Sequence, residues 1–508
     1  MEEKREVERK YEADGSDVRL PDLTGVRGVA AVHDEGVTEL DAVYYDTPDL
    51  RLAAASLTLR RRTGGADAGW HLKFPVATGI RDEIRAPLSE SLPPSLAGLL
   101  RSRVRDEPVA PVVRLRTSRA VRHLAAADGT PLAELATDTV HAQRLPTGPA
   151  TTWTEIEVEL ADDTAGADEA LLDAVEKRLK TAGIRRSSSP SKLARALEET
   201  GTDVPEAGEG TEGDGTAGAA VLAYVRTQAD ALVALDPAVR RELPDAVHQM
   251  RVAARRLRSA FKTYRKVLDR TVTDPVGEEL KWLAGELGHA RDQEVLQARL
   301  SAALDALPPA LVVGPARRRL RTWDSTRSGE AKSRGLVALD SARHLALLDR
   351  LDALLAAPPL RPTARKKAKK ALPEAVLRDY RRLADRVDLA LALDPGTERD
   401  LALHEARKAA KRARYAGEAA TPTLGKPAKR FAKRMKRVQS CLGDHQDSVV
   451  ARAALLDLAT EAHEAGESAF TWGVLVGREQ AAGDADERAL PELWERASAP
   501  EIRAALSH

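Results

Sequence analysis

Glu6, Glu8 and Lys10 stand at alternate positions near the start of the chain, in EVERK. On a strand, where successive side chains point to opposite faces, the two carboxylates and the amine share one side. On a helix the same residues amount only to an i,i+4 pair of Glu6 and Lys10. Downstream runs repeat the alternation. Thr58, Arg60 and Arg62 share a face in SLTLRRR, His71 and Lys73 in WHLKFP, and Arg114 and Arg116 in VVRLRTSR, with Leu115 opposite. In WTEIEVEL, Glu155, Glu157 and Glu159 alternate with Ile156 and Val158, and Asp138 in ELATDTV is a further acidic position. RDEIRAPL puts Arg81, Glu83 and Arg85 on one face, where their charges offset one another. Carboxylate oxygens suit Mg²⁺ or Mn²⁺, and guanidinium forks suit phosphate oxygens. Each strand alone admits two readings, with its charged face turned to water or to a lumen. A closed barrel carrying both kinds of strand inside would be a tunnel for a metal and a polyanion.

A second constellation lies in the other half of the chain and occurs twice. AVHQMRVAARRLRSAF is matched by ALHEARKAAKRARYAG, with His248 and His404 156 residues apart, and ELGHARDQEV is matched by CLGDHQDSVV, with Gly288 and Gly443 155 apart. At 100° per residue, His248, Arg251, Arg255, Arg258 and Lys262 fall on one side of a helix, as do His404, Arg407, Lys408, Lys411 and Arg414. GKPAKRFAKRMKRVQ then adds Lys426, Lys429, Arg430, Lys433, Arg434, Lys436 and Arg437, and residues 404–437 hold twelve Lys/Arg in all against two acids. A solvated face is the plain reading of one such stripe. Two in register point to an anionic partner that relieves the repulsion.

The elements that must position these residues differ between the halves. Short period-two segments bounded by Gly, Pro or Asp predict an antiparallel β-rich domain over 1–200, with helices at SLAGLLRSR, DEALLDAVEKRLKTAG and SKLARALEE. GTDVPEAGEGTEGDGTA, 201–217, has no apolar stripe and reads as a flexible acidic linker. Ala/Leu/Arg segments with helical spacing follow over 218–500, in repeats at about 218–355 and 374–500. The fold class expected is α+β with two domains: an antiparallel β-barrel tunnel with flanking helices, then an all-α duplicated bundle with pseudo-two-fold symmetry. The basic run RPTARKKAKKALP, 361–373, reads as a solvated or polyanion-facing surface.

Composition narrows the partners. Aromatics are 3% of the chain, so platforms on which nucleic-acid bases could stack are scarce. The 79 Lys/Arg and 78 Asp/Glu nearly cancel, which argues against nucleic acid as the main ligand. Cys441 is the one cysteine, which excludes an intramolecular disulfide and a cysteine metal cluster. The opening MEEKREVERK is too charged for a signal peptide, and no apolar run approaches the ~20 residues of a membrane span. A cytoplasmic protein is the expectation, and oligomeric state is not readable.

ExExK at Glu6, Glu8 and Lys10, then YYDTPD, LTLRRR, LKFP and EIEVEL in that order, resemble the CYTH superfamily of triphosphate tunnel enzymes over about 1–200. The resemblance implies a metal-dependent triphosphatase, with Glu6, Glu8 and Lys10 catalytic. Glu6, Glu8, Glu155, Glu157 and Glu159 would hold Mg²⁺ or Mn²⁺. Lys10, Arg60, Arg62, Lys73, Arg114, Arg116 and Lys192 (in the closing SKLARAL) would hold the phosphate chain. The duplicated His-x2-Arg-x3-Arg/Lys-Arg-x-Arg pattern resembles the CHAD domain over about 218–500. That implies binding of inorganic polyphosphate by the two stripes and by 433–437, with granule association as one consequence. Inorganic triphosphate is the expected substrate. Adenylate cyclase, thiamine triphosphatase or RNA triphosphatase activity on the same fold, or a non-enzymatic polyphosphate-binding protein, are the alternatives.

Overall fold

A computed structural model describes residues 2–12, 19–161, 168–205 and 214–507. The chain forms two compact units, Met1–Glu209 and Gly210–His508. Much of the acidic run expected as a linker, 206–213, lies outside the described residues.

The first unit is built on strands β1 (Glu2–Glu12), β2 (Ala31–Asp46), β3 (Thr58–Thr63), β4 (Gly69–Ala77), β5 (Ile80–Pro87), β6 (Ala110–Ala125), β7 (Pro131–Arg144), β8 (Ala150–Leu160) and the short β9 (Arg185–Arg186). They run antiparallel in the order β5-β4-β3-β2-β6-β7-β8-β1-β9, and a further β5–β1 pairing closes eight of them into a ring. This is the antiparallel tunnel expected, closed as a ring of eight strands that is not a regular barrel. β1 divides its partners, with Glu2–Val7 paired to β5 and Glu8–Glu12 to β8. Shifts of register interrupt the β2–β6, β4–β5 and β6–β7 ladders.

Helices α1 (Arg51–Ala54), α2 (Pro94–Val104), α3 (Glu169–Thr181) and α4 (Lys192–Glu199) decide which strand faces point inward. Leu171, Val175 and Leu179 of α3 bury Ile156 and Val158 on the outside of β8, and Leu96, Leu99 and Leu100 of α2 bury Leu59, Leu72 and Ile84. With the apolar faces covered in this way, the intervening charged residues are turned into the ring. At one end the inner face is itself apolar: Ala42, Leu115, Val140 and Trp153 pack there with Leu193, Ala196 and Leu197 of α4.

The second unit contains α5 (Ala217–Arg240), α6 (Ala246–Thr263), α7 (Arg270–Asp305), α8 (Ala316–Asp340), α9 (Ala342–Ala356), α10 (Ala368–Ala392), α11 (Thr397–Leu424), α12 (Lys426–Glu464), α13 (Phe470–Ala497) and α14 (Pro500–Ser507). The duplication is visible in this order. His248 on α6 and Gly288 on α7 correspond to His404 on α11 and Gly443 on α12. Neighbouring helices pack consecutively within each half, and the halves meet mainly through α5 and α6 against α10 and α11. The second half opens at Ala368, ahead of the expected 374, because α10 runs through Pro373 near its start. Among the described residues no helix is long and apolar enough to cross a membrane.

Candidate functional sites

The ring encloses a cavity of about 520 Å³, lined by Glu6, Glu8, Lys10, Arg60, Arg62, Lys73, Arg119, Glu157, Glu159 and Lys192 among others. Strand register explains the grouping. Glu8 lies opposite Glu159 and Lys10 opposite Glu157 across β1–β8, while Arg119, Asp138 and Glu155 form one row across β6, β7 and β8. On the other wall Tyr44, Arg60 and His71 form a row, with Thr58, Lys73 and Glu83 in the next.

The charges pair densely. Lys73 Nζ lies 2.5 Å from Glu6 Oε2, Lys10 Nζ lies 3.2 Å from Glu8 Oε2 and also contacts Glu157, and Lys4 reaches Glu159 at 2.7 Å. Lys192, the first residue of α4, places its ammonium 2.9, 2.8 and 2.6 Å from Asp138, Glu155 and Glu157. Ser191 caps that helix by accepting from the Ala194 amide at 3.1 Å, which fixes where Lys192 starts. Arg119 donates to Asp138 at 2.7 and 2.8 Å and to Glu157 at 2.8 Å.

Burial opposes ionisation of Glu157, yet Lys10, Lys192 and Arg119 hold its pKa well below the usual carboxylate value. Burial likewise opposes ionisation of Glu8, and Lys10, Lys73 and Arg81 together outweigh it and lower its pKa. Glu6 goes the other way: burial, helped by Glu83 and Glu159, raises its pKa despite Lys73. Burial first, then the neighbouring Arg60 and Arg119, press Arg62 down to about 9. Arg62 is also paired to Asp67 at the cavity wall.

Arg114 and Arg116 require a correction. Arg114 sits outside the cavity, half-exposed and paired to Asp41 at 2.9 Å, and Arg116 is exposed, because the apolar end of the ring interior takes Leu115. The inward basic residue of β6 is Arg119, on the parity of Leu115, and VVRLRTSR ends on it. Sequence reading also passed over Tyr44, whose hydroxyl accepts from Arg60 at 3.4 Å. Asp138, only an extra position in the sequence, is fully buried. Glu83 is held below the usual carboxylate range against burial by Lys73, His71 and Arg60.

The donor set suits a hard divalent cation, since every acidic ligand available offers carboxylate oxygens. Asp138, Glu155 and Glu157 each bring an oxygen within 4.8 Å of the others, and the Lys192 ammonium is the cation among them. Glu6, Glu8 and Glu159 line the cavity beside them. Another such group, Asp400, His445 and Glu487, lies in the helical unit, where Arg452 and Arg399 already neutralise its carboxylates at 3.5 and 3.0 Å.

In the helical unit the two stripes converge. The Lys411 pKa is pushed down to about 7 by burial and by Arg407, Arg255 and Arg251, against Asp447. Arg251 pairs with Asp292 at 2.9 Å and Arg407 with Asp447 at 3.5 Å, the same contact in each repeat. The buried Nε–H groups of Arg251, Arg255, Arg258 and Arg407 meet no acceptor among the described residues. Unsatisfied buried donors cost free energy, and phosphate oxygens would satisfy them. His404 Nδ1 lies 2.5 Å from Gln446 Oε1, while burial and neighbouring cations lower His248 despite Asp245. Arg414 pairs with Glu418 at 2.6 Å, and Lys408 is turned to solvent beside Glu405. Lys433, Lys436 and Arg437 are exposed, and Arg434 donates to the Arg496 carbonyl at 3.0 Å.

Family comparison agrees with this geometry. The CYTH domain matches residues 4–197 and the CHAD domain residues 223–456. The uncharacterized protein Rv2226 of Mycobacterium tuberculosis (strain H37Rv) is 40% identical over 501 residues, covering 96% of this chain and 94% of that protein. The chain belongs to the CYTH–CHAD family. A 76-residue stretch of this CYTH–CHAD protein is 43% identical to human (Homo sapiens) thiamine-triphosphatase, covering 15% of the chain and 29% of that enzyme. Among solved structures, PptA from Streptomyces chartreusis is 27% identical with a TM-score of 0.48, covering 55% of this chain and 99% of its own.

Proposed function

We propose that the ring unit is a metal-dependent triphosphatase acting on inorganic triphosphate and that the helical unit binds inorganic polyphosphate. The observation that carries the first part is the closed ring whose interior sets Lys10, Arg60, Arg62, Lys73 and Arg119 around one cavity with Glu6, Glu8, Glu157 and Glu159. The CYTH match and the likeness to thiamine-triphosphatase support a triphosphate. The scarcity of aromatic side chains favours the inorganic form over one bearing a nucleobase or thiazole ring.

In this reading the arginines and lysines bind phosphate oxygens and hold the chain extended, which aligns the terminal phosphorus for in-line attack. Glu6, Glu8 and Glu159, with Glu157 adjoining, would hold Mg²⁺ or Mn²⁺. Bound there, the ion supplies charge neutralisation and lowers the pKa of a coordinated water. Glu6, which lines the cavity 2.5 Å from Lys73 Nζ, belongs to this ligand set. Lys10, between Glu8 and Glu157, keeps both ionised. Arg62, near Arg60 and Arg119 and paired to Asp67, is one of the cations a phosphate would meet. The α4 end is filled by apolar side chains, which keeps water from that side.

Phosphate release from inorganic triphosphate, ATP and thiamine triphosphate, with and without Mg²⁺ or Mn²⁺, tests the reading. Metal-dependent release mainly from inorganic triphosphate, lost in Glu6→Gln/Glu8→Gln, is expected. Release unaffected by that double substitution would exclude this cavity.

For the helical unit, the four unsatisfied guanidinium donors and the depressed Lys411 support an anionic ligand. Retention of polyphosphate by the full-length protein at physiological salt, lost in Arg255→Gln/Lys411→Gln, is expected.

A further inference from the structure

The two stripes are related by duplication, but their surroundings are not. Between residues 217 and 240, α5 carries two Lys/Arg, Arg226 and Arg240, whereas its counterpart α10 carries six between 368 and 392. The stripes themselves also diverge at their ends. At the offset of 156, Lys262 corresponds to Glu418, a reversal of charge. Glu418 neutralises both Arg414, at 2.6 Å, and Arg256, at 2.9 Å.

The C-terminal end of α6 shows which of the surrounding cations have structural duties. Arg412 donates to the Lys262 carbonyl at 2.9 Å and pairs with the buried Asp379 at 2.8 Å. Arg378 donates to the Thr263 carbonyl. Both thus satisfy carbonyls in the last turn of α6, where cations also meet the negative end of the helix dipole. Arg258, Lys262 and Arg382 have no such duty. Among the described residues none of the three forms an ion pair, and the buried Arg258 Nε–H meets no acceptor. Burial, then Arg258, Arg412 and Arg382, hold the Lys262 ammonium below the ordinary lysine value, with Glu278 the opposing carboxylate. The three therefore form one electropositive patch that continues the α6 stripe toward α10.

We propose that the polyanion surface of the helical unit extends past the end of α6 onto α10, through Arg258, Lys262 and Arg382, and engages only polyphosphate chains long enough to reach beyond the central cluster. The proposal rests on the reading of this unit as a polyphosphate binder. Arg251 and Lys262 are separated by about 16 Å along the helix axis, so a short chain seated at Arg251, Arg255, Arg407 and Lys411 leaves the extension uncovered. The extension is one-sided because Glu418 closes the equivalent exit in the second repeat. Linear inorganic polyphosphate fits this surface because its charge repeats along its length and needs no base or sugar contact.

The test compares Kd values of the full-length protein for short-chain and long-chain inorganic polyphosphate, in EDTA to prevent turnover. In Lys262→Gln/Arg382→Gln we expect about a tenfold loss for the long chain, a loss below about twofold for the short one, and a shallower salt dependence for the long chain only. Both positions are exposed and lack ion-pair partners, so the fold is not at stake. Arg321→Gln/Arg334→Gln, two exposed positions on α8, make the same change of net charge and should leave both affinities unchanged. Equal losses for the two lengths, no loss for either, or a matching loss in the α8 pair would overturn the extension. A wild-type protein that retains neither length overturns the polyphosphate reading itself, and the extension with it.

Discussion

At the scale of single residues, Arg119 and Arg114 make the sharpest comparison. Arg119 holds Asp138 and Glu157 inside the ring, and removing it leaves buried carboxylates short of a partner. Arg119→Gln should lower unfolding free energy by about 3 kcal/mol in urea titrations. It should also lower kcat/KM for triphosphate by about a hundredfold, as loss of a charge-stabilising donor does. Arg114→Gln breaks a half-exposed pair with Asp41, should cost under about 1 kcal/mol and should leave turnover intact. Lys411 provides a pH signature. Its folded pKa of about 7 lies below the ordinary 10.5, so between those values the unfolded chain binds the extra proton. Stability of the helical unit should therefore rise with pH from about 7 towards 10.5 and level off below 7, and Lys411→Met should flatten that slope in thermal unfolding. The acidic and basic alternations were legible in the sequence because strand period alone groups Glu155, Glu157 and Glu159, or Arg60 and Arg62. It could not say which parity of β6 faces inward. Arg114 and Arg116 are the more conspicuous pair, but Leu115 takes the inward parity at an apolar end of the ring that no local pattern reveals.

At the scale of elements, α2, α3 and α4 were legible from helical periodicity, as were the strands with clean alternation. β2 was not. Only its end, VYYD, shows strand character, while AVHDEGVTELDA is mostly exposed and polar and is held as strand by its long ladder with β6. α4 matters more than its eight residues suggest, since it both fills the apolar end and delivers Lys192. Ser191→Ala removes the cap and should cost about 1 kcal/mol, with a larger effect on triphosphate KM than on polyphosphate binding. In the helical unit the close approach of α11 and α12 depends on Gly417. A Cβ there would meet the Phe431 ring at 2.8 Å and Ala432 Cβ at 3.2 Å. Phe431 is fully buried and cannot yield, so Gly417→Ala should destabilise by about 1–3 kcal/mol on chemical denaturation.

At the scale of the whole molecule, the division into two units and the internal repeat could be read from composition and from one constant offset. The asymmetry between the repeats could not, because it depends on which side chains are spent on carbonyls and carboxylates in three dimensions. The two units have separate cores. Calorimetry should therefore resolve two transitions, and under the proposed reading only that of the helical unit should shift when long-chain polyphosphate is added. The divided pairing of β1 has a consequence in time rather than in space. Glu8 lies opposite Glu159. β1 thus cannot complete its pairing until β8, nearly the last strand of the unit, has been made. Until then Glu8–Glu12, the half of β1 not paired to β5, belongs to an open edge, and loop closure over so long a stretch is slow. The pocket is therefore born late: a nascent chain arrested before residue 150 should expose Glu8–Glu12 to proteolysis, and one released beyond residue 200 should protect it.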